Sequence, residues 1–233
     1  MSNAESEFYD MKESFREHMM VKELRLQCNF AMYAYHDYHQ TLDALDDWQR
    51  RREEALSHLL GELPKQEHED ARIAEEGAWQ DGEGYRRERE LHERVFYNMH
   101  GFLTHSGNIS KLLWPISQKY RTRGEWLRKA FKVQDAPPLK SREIRNDLEH
   151  YDERLELWLS DIRRLTQTDL IIGIVHYPER PENIHRQYDY DSEIFSYQGK
   201  GQNLNDIAQE ISRIQREIEL WNELGMVPPT RRT

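Results

Sequence analysis

The sequence predicts a mainly α-helical protein, an up-and-down helical bundle with a small antiparallel β insertion before the last helix. Apolar residues recur at steps of three and four over several long stretches. Charged residues make up 33% of the chain, while glycine and proline are scarce. One short stretch rich in branched and aromatic residues interrupts the helical pattern. We expect residues 1–233 to form one domain.

The first long helix is predicted over residues 24–60, and a turn or helix of similar character precedes it at residues 8–19. Its buried stripe runs through Leu24, Cys28, Ala31, Tyr35, Tyr38, Leu42 and Leu45. Gly61 and Pro64 are expected to stop it. Residues 62–90 are highly charged and have little periodicity, which predicts an exposed charged connection.

The second long helix is predicted over residues 89–119, with a kink or interruption at Pro115, because proline removes a helical hydrogen bond. A short basic helix follows around residues 124–131. Ser141 is a plausible N-cap for the next helix, which has Tyr151, Leu155 and Trp158 on its apolar stripe.

Residues 166–202 form the predicted β insertion, since branched apolar residues are followed by an alternating segment around an Asp-Ser turn. The last helix is capped by Asn203 or Asn205 and ends at Gly225. Its stripe consists of Leu204, Ile207, Ile211, Ile214, Ile218, Trp221 and Leu224.

Charge is unevenly distributed along the chain. The net charge is −10, which argues against a generic nucleic-acid binder. Residues 119–145, however, hold nine basic residues against three acidic ones, so this segment is net +6 and the rest of the chain is net −16. Such a segment forms either a local anion site or a solvated basic loop.

An Arg and a His, Arg145 and His150, lie five positions apart in the segment REIRNDLEHYDERLELWLS, residues 142–160. On a helix they are about 140° apart, too far for one helix to aim both at the same phosphate without help. Two chains packed across a two-fold axis would bring an Arg and a His from each into one cleft. His exchanges a proton near neutral pH, and Arg donates a bidentate fork to phosphate oxygens.

The run Arg145-Asn146-Asp147-Leu148-Glu149-His150 resembles the Arg-polar-x-x-x-His motif of the HEPN superfamily. That resemblance implies an HEPN-like helical bundle, a homodimer with a composite site, and metal-independent ribonuclease activity in a bacterial defence or stress system of the toxin type. It also implies that His150 is the general acid or base, that Arg145 stabilises the developing negative charge and that Asn146 orients them. We expect Arg142, Lys140, Arg128 and Lys129 to contact substrate phosphates.

The resemblance further implies RNA or a nucleotide as ligand and an antitoxin or another protein as a possible partner. The alternative is a non-catalytic HEPN-like module that binds a nucleotide, RNA or a protein. The motif residues also have a purely structural interpretation, in which Arg145 and Glu149 form a helical ion pair and Asn146 and His150 are solvated. Arg and His recur with four or five intervening residues at Arg52/His58, Arg87/His92, Arg94/His100 and Arg180/His185.

Other kinds of site find less support in the sequence. The helices lack the paired Glu-x-x-His elements of a di-iron bundle, so we expect no metal and no cofactor. Cys28, the single cysteine, falls on the buried stripe and is expected to be an inert core thiol. Tyr188, Tyr190, Phe195 and Tyr197 form either a base-stacking surface or, preferably, packing contacts with a helix. No signal peptide or membrane span is apparent, which predicts a cytoplasmic protein, and Ser2-Asn3-Ala4 resembles a tag remnant.

Overall fold

The computed structural model describes residues 3–141, 146, 149–160, 169–173 and 181–223. The protein is mainly helical and has a small four-stranded sheet before the last helix, which confirms that part of the predicted fold. The α-helices in the described residues are α1 (Asn3–Glu62), α2 (His68–Asp81), α3 (Glu83–Leu113), α4 (Arg121–Ala130), α5 (Tyr151–Ser160) and α6 (Leu204–Glu223). Short 3-10 turns occupy Lys65–Glu67, Gln118–Tyr120, Pro138–Lys140 and Pro181–Asn183.

The chain divides into two compact units. The larger unit consists of residues 1–33 and 101–233, and the smaller unit of residues 34–100. Helices α1 and α3 each contribute residues to both units.

Helix α1 is continuous where the sequence predicts two pieces. No glycine or proline occurs before Gly61, so nothing in the sequence interrupts the backbone hydrogen bonds. The predicted stripe is buried at Leu24, Cys28, Ala31, Tyr38 and Leu45. The helix ends at Glu62, shortly before Pro64.

The smaller unit differs most from the sequence-based expectation. Residues 62–90, predicted as an exposed connection, fold largely as helix α2 and the first turns of α3. Trp79 organises this region: its ring lies 4.2 Å from the Arg52 guanidinium and its indole N–H donates to Glu88 over 3.2 Å. Arg52 also donates to Glu75 and Glu76. Because these contacts are tertiary, the hydrophobic periodicity of residues 62–90 does not reveal them.

Helix α3 ends at Leu113, before Pro115, where the sequence predicts a kink or an interruption. Ile116 is therefore beyond the helix and exposed. Helix α4 packs tightly on this end of α3 at the buried residue Gly124. A Cβ at position 124 would lie 2.5 Å from both the carbonyl oxygen of Leu113 and the Pro115 ring.

The sheet has the order β1 (Ile171–Ile172), β2 (Arg186–Asp189), β3 (Ile194–Tyr197) and β4 (Lys200–Asn203). Pairs β2–β3 and β3–β4 are antiparallel, as predicted, but β1 pairs with β2 in parallel, Ile171 opposite Gln187. A parallel pair needs a crossover of about a dozen residues, and residues 173–185 supply that length. Gln198 and Gly199 join β3 to β4 with positive φ at both positions, as a two-residue type I′ turn requires.

Helix α6 supplies much of the core of the larger unit. Its predicted stripe is buried from Leu204 to Ile218, and the Asn203 side chain caps the helix by accepting from the N–H of Asp206 over 2.8 Å. Gln215 donates to Asn29 of α1, and Arg213 donates to the carbonyl of Phe131. The predicted stop at Gly225 lies outside the described residues.

Candidate functional site

The segment that contains Asn146 and His150 and continues into α5 is called the motif helix, and its backbone hydrogen bonds at His150 are helical. The N–H of His150 donates to the carbonyl of Asn146 over 3.1 Å, and the N–H of Arg154 donates to the carbonyl of His150 over 3.0 Å. Asn146 and His150 are both exposed and lie one turn apart on the same face. Arg142 and Arg145, predicted for substrate binding and catalysis, lie outside the described residues.

The imidazole of His150 is open to solvent, with 60% of its side chain exposed. Its Nδ1 lies 3.9 Å from a carboxylate oxygen of Glu153. Glu149, the preceding residue, pairs with Lys111 near the end of α3, which ties the start of α5 to that helix. The exposed His150 side chain is thus next to a residue that pairs with α3, and its exposure suits proton exchange with a ligand in the solvent.

An exposed leucine shares the face of His150. At about 100° per residue, Asn146, Arg154 and Leu157 all project within about 40° of His150. The Leu157 side chain is 63% exposed. Trp158, which projects about 80° away, is buried and donates its indole N–H to the carbonyl of Glu182 over 2.9 Å. Trp158 therefore packs on the protein, while the exposed face of the helix carries the polar His150 and the apolar Leu157 together.

The residues predicted to contact phosphate differ in their surroundings. Lys129 and Lys140 are exposed, and Lys140 donates to the carbonyl of Asp135 over 2.6 Å. Arg128 is mostly buried: its guanidinium donates to the carbonyl of Leu113, at the end of α3, and lies 5.7 Å from the Trp114 ring. Because this hydrogen bond to Leu113 uses part of the guanidinium, Arg128 is less available to bind a ligand than Lys129 and Lys140.

Three of the four competing Arg and His pairs contain a residue that other contacts hold, that is buried or that lies outside the described residues. Arg52 is held by Glu75, Glu76 and Trp79. Arg87 pairs with Glu90, and burial lowers the pKa of His92, against the opposing effect of Glu88. His185 is buried in the sheet region, and Arg180 lies outside the described residues.

A polar network around His185 was not predicted from the sequence. The ring donates or accepts at Nε2 with the Tyr197 hydroxyl over 3.0 Å, while its Nδ1 lies 3.4 Å from Asp169. Both Asp169 oxygens accept from Arg186. Burial opposes ionisation of Asp169, but the hydrogen bonds from Arg186 and His185 outweigh it and hold the carboxyl pKa well below its usual range.

This network packs against the motif helix. The His185 ring lies 4.8 Å from the Trp158 ring and 5.7 Å from the Tyr151 ring, between centroids. Gln198, in the β3–β4 turn, donates to the carbonyl of Arg154. The β insertion thus supports the helix that carries His150. Asp169 and Arg186 are far apart in sequence, and no motif links them.

Tyr188, Phe195 and Tyr197 are buried, as the packing interpretation predicts, whereas Tyr190 is exposed. Cys28 is buried, as predicted, and burial raises the pKa of its thiol to about 12. In the described ranges, no group of three or more His, Cys, Asp or Glu residues is arranged to hold a metal ion. None of the described helices has an apolar stretch long enough to cross a bilayer.

Comparison with known proteins yields no matching family model, no similar curated protein and no similar solved structure.

Proposed function

We propose that the protein is an HEPN-like up-and-down bundle that acts as a metal-independent endoribonuclease in a bacterial defence or stress system. The observation that carries the proposal is the exposed face of the motif helix, where His150 follows Asn146 by one turn. The side chain of a general acid or base must reach its substrate, and the exposure of His150 supports that role. The role of Arg145, the second proposed catalytic residue, is inferred only from the resemblance to the HEPN motif.

The proposed reaction is attack of a ribose 2′-hydroxyl on the adjacent phosphate. His150 of one chain removes the hydroxyl proton while the O2′–P bond forms, and the bond from phosphorus to the 5′-oxygen breaks. The leaving 5′-oxygen takes a proton from the second histidine. Arg145 neutralises the charge that develops on the phosphate oxygens, and the products are a 2′,3′-cyclic phosphate and a 5′-hydroxyl.

A homodimer is part of this proposal because the motif needs a second copy to assemble the composite site. Leu157 supports it: burying the remaining surface of a leucine that is 63% exposed on the His150 face gains about 1–2 kcal/mol. A two-fold contact through this face would bury both copies of Leu157 and bring two His150 side chains together. Lys129 and Lys140 are exposed cations available for phosphate contacts outside the reacting centre.

The test is cleavage of a mixed-sequence labelled RNA in EDTA by the wild type, His150→Ala and His58→Ala. His58 is a matched control, because it too is an exposed helical histidine near a carboxylate, 3.7 Å from Glu62. The proposal requires cleavage by the wild type and His58→Ala, loss in His150→Ala, and cyclic-phosphate ends. Equal cleavage by all three proteins would assign the activity to another site or a contaminant.

A non-catalytic module is the second candidate, and the carboxylates near His150 favour it. Glu149, Asp152 and Glu153 surround that histidine in sequence, and carboxylates repel a phosphate backbone. Such a face suits a basic protein partner, of which an antitoxin is one example, or a nucleotide held mainly by Lys129 and Lys140. In that case the wild type cleaves no RNA, and His150→Ala weakens partner binding.

A further inference from the structure

A small cavity lies between α1 and the start of α4 in the larger unit. Its volume is about 90 Å³, several times the space that one water needs. Arg16 of α1 lines one side, and Lys119, Tyr120, Arg123 and Trp126 line the other. The basic segment that stands out in the sequence therefore begins at this cavity.

Two like charges meet here. Burial and the neighbouring Arg16 guanidinium both lower the pKa of Arg123, against a smaller opposing effect of Tyr120. Among the described residues no carboxylate pairs with Arg123, and its one hydrogen bond, to the carbonyl of Lys111, is 3.4 Å long. Placing two guanidinium groups close together costs stability unless an anion joins them.

Two buried donors at the cavity also lack acceptors. In the part of the chain that the structure describes, neither the Nε of Arg123 nor the indole Nε1 of Trp126 has a hydrogen-bond partner. Trp126 is 9% exposed, so water gives its N–H little compensation. Buried donors are normally satisfied, and those left over at a cavity indicate a missing acceptor.

We propose that this cavity binds the terminal phosphate of a small phosphorylated ligand. Arg16, Lys119 and Arg123 supply three positive charges and Glu17, which also lines the cavity, one negative charge. The net charge of +2 matches a phosphate monoester, which carries a charge of about −1.5 to −2 at pH 7. Guanidinium groups bind phosphate oxygens in bidentate geometry, and the indole N–H provides one further donor.

The size of the cavity favours a terminal phosphate over a phosphodiester, since a diester must leave room for chain on both sides. Tyr120 lies beside the proposed phosphate position, with Lys119 5.5 Å and Arg123 5.2 Å from its ring, and it limits the space further. No residue of the Arg145/His150 motif takes part. The proposed phosphate site therefore does not depend on the proposed ribonuclease function, and each can be tested without the other.

The test is calorimetric titration and thermal unfolding of the full chain with inorganic phosphate, against chloride at equal ionic strength. Three variants are compared: Arg123→Met, Arg16→Gln and Arg121→Gln. Arg121 is the matched control, because it is exposed on the same helix and does not line the cavity. We expect phosphate binding to weaken by about tenfold or more in the first two variants and to stay within about twofold in the control.

Arg16→Gln should change the melting temperature differently in chloride and in phosphate. Because it removes a like charge, its melting temperature in chloride should equal or exceed that of the wild type, while the increase produced by phosphate is lost. Arg16 is exposed, so this variant remains informative if Arg123→Met does not fold. The proposal would be contradicted if the wild type did not bind phosphate, or if Arg121→Gln and Arg16→Gln lost phosphate affinity equally.

The source of the phosphate is resolved by competition. Adenosine monophosphate and a single-stranded RNA decamer without terminal phosphates are titrated against bound inorganic phosphate. We expect the monophosphate to displace it and the decamer to leave it bound. Displacement by the decamer with equal affinity would overturn the assignment to a terminal phosphate.

Discussion

Asp169 holds Arg186 through both oxygens of its carboxylate, and the same carboxylate lies 3.4 Å from Nδ1 of the buried His185. The Arg186 guanidinium in turn lies 5.7 Å from the Tyr151 ring, next to His150 in the chain. One carboxylate thus connects the edge of the sheet to the motif helix. Its charge state affects the stability of both.

Asp169→Asn should destabilise the protein by about 1–3 kcal/mol at pH 7, because Arg186 loses its counter-charge. The folded pKa of Asp169 lies below the unfolded value of about 3.9. The carboxylate therefore contributes its stability above that pH, and the contribution declines as the pH falls below about 4. Urea unfolding of both proteins from pH 7 to pH 3 should show the two curves converging in acid.

Asp191→Asn, in the exposed β2–β3 turn, is the control for charge removal. Its unfolding curve should stay close to that of the wild type over the whole range. A constant gap between Asp169→Asn and the wild type down to pH 3 would contradict the ion-pair account.

Gly124→Ala and Gly77→Ala should have opposite effects on stability. Alanine gains up to about 1 kcal/mol over glycine within a helix. At position 77 nothing lies within 4 Å of the added Cβ, so the gain should be realised. At position 124 the Cβ meets the Leu113 carbonyl and the Pro115 ring, so a net loss of about 1–3 kcal/mol is expected from overpacking. Chemical unfolding monitored by circular dichroism measures both, and stabilisation by Gly124→Ala would refute the close packing.

Leu157→Glu should convert the proposed dimer to a monomer and reduce RNA cleavage at least tenfold. Leu159→Glu is the matched control, since Leu159 is 54% exposed on the same helix but projects about 160° from Leu157. Sedimentation velocity gives the oligomeric state of each protein. A wild type that is monomeric at micromolar concentration, or two variants with the same behaviour, would contradict dimerisation through the His150 face.

Arg128→Met and Lys129→Met should separate stability from RNA binding. Arg128→Met removes the donor to the carbonyl of Leu113 and should cost about 1–3 kcal/mol. Lys129→Met should leave stability unchanged within about 0.5 kcal/mol and weaken RNA binding at low salt. Thermal unfolding and fluorescence anisotropy with labelled RNA measure the two properties. Equal stability of the two variants would show that Arg128 does not hold the end of α3.

Cys28 should not react with thiol reagents in the folded protein at pH 8. With a pKa of about 12 the thiolate is a very small fraction of the population, and burial blocks access as well. Absorbance with a disulfide reagent should show one thiol in guanidinium and none in its absence. Rapid labelling of the native protein would mean that α1 opens locally around Cys28.

Local patterns in the sequence predict the helices of the larger unit well. The stripe from Leu204 to Ile218, the cap at Asn203 and the end of α3 before Pro115 all depend on residues close together in the chain. Such features follow from helical periodicity and from the backbone chemistry of proline and asparagine. The buried position of Cys28 follows from the same periodicity.

Features that depend on distant partners are not predicted. Helix α2 is organised by the contacts of Trp79 with Arg52 and Glu88, and the parallel pairing of β1 has no local signal. The charge of Arg128 predicts a phosphate contact, and its hydrogen bond to the carbonyl of Leu113 is a further contact that the sequence does not predict. The exposure of His150 agrees with its assigned role, but its catalytic function remains a prediction.

The borders between the two compact units fall inside helices, between residues 33 and 34 of α1 and between residues 100 and 101 of α3. A protease that separates domains cuts extended linkers, and neither border offers one. We therefore expect limited digestion to begin near residues 63–67, between α1 and α2, inside the smaller unit. For the same reason residues 34–100 cannot be exchanged between proteins as an independent cassette, because each junction would have to continue a helix in register.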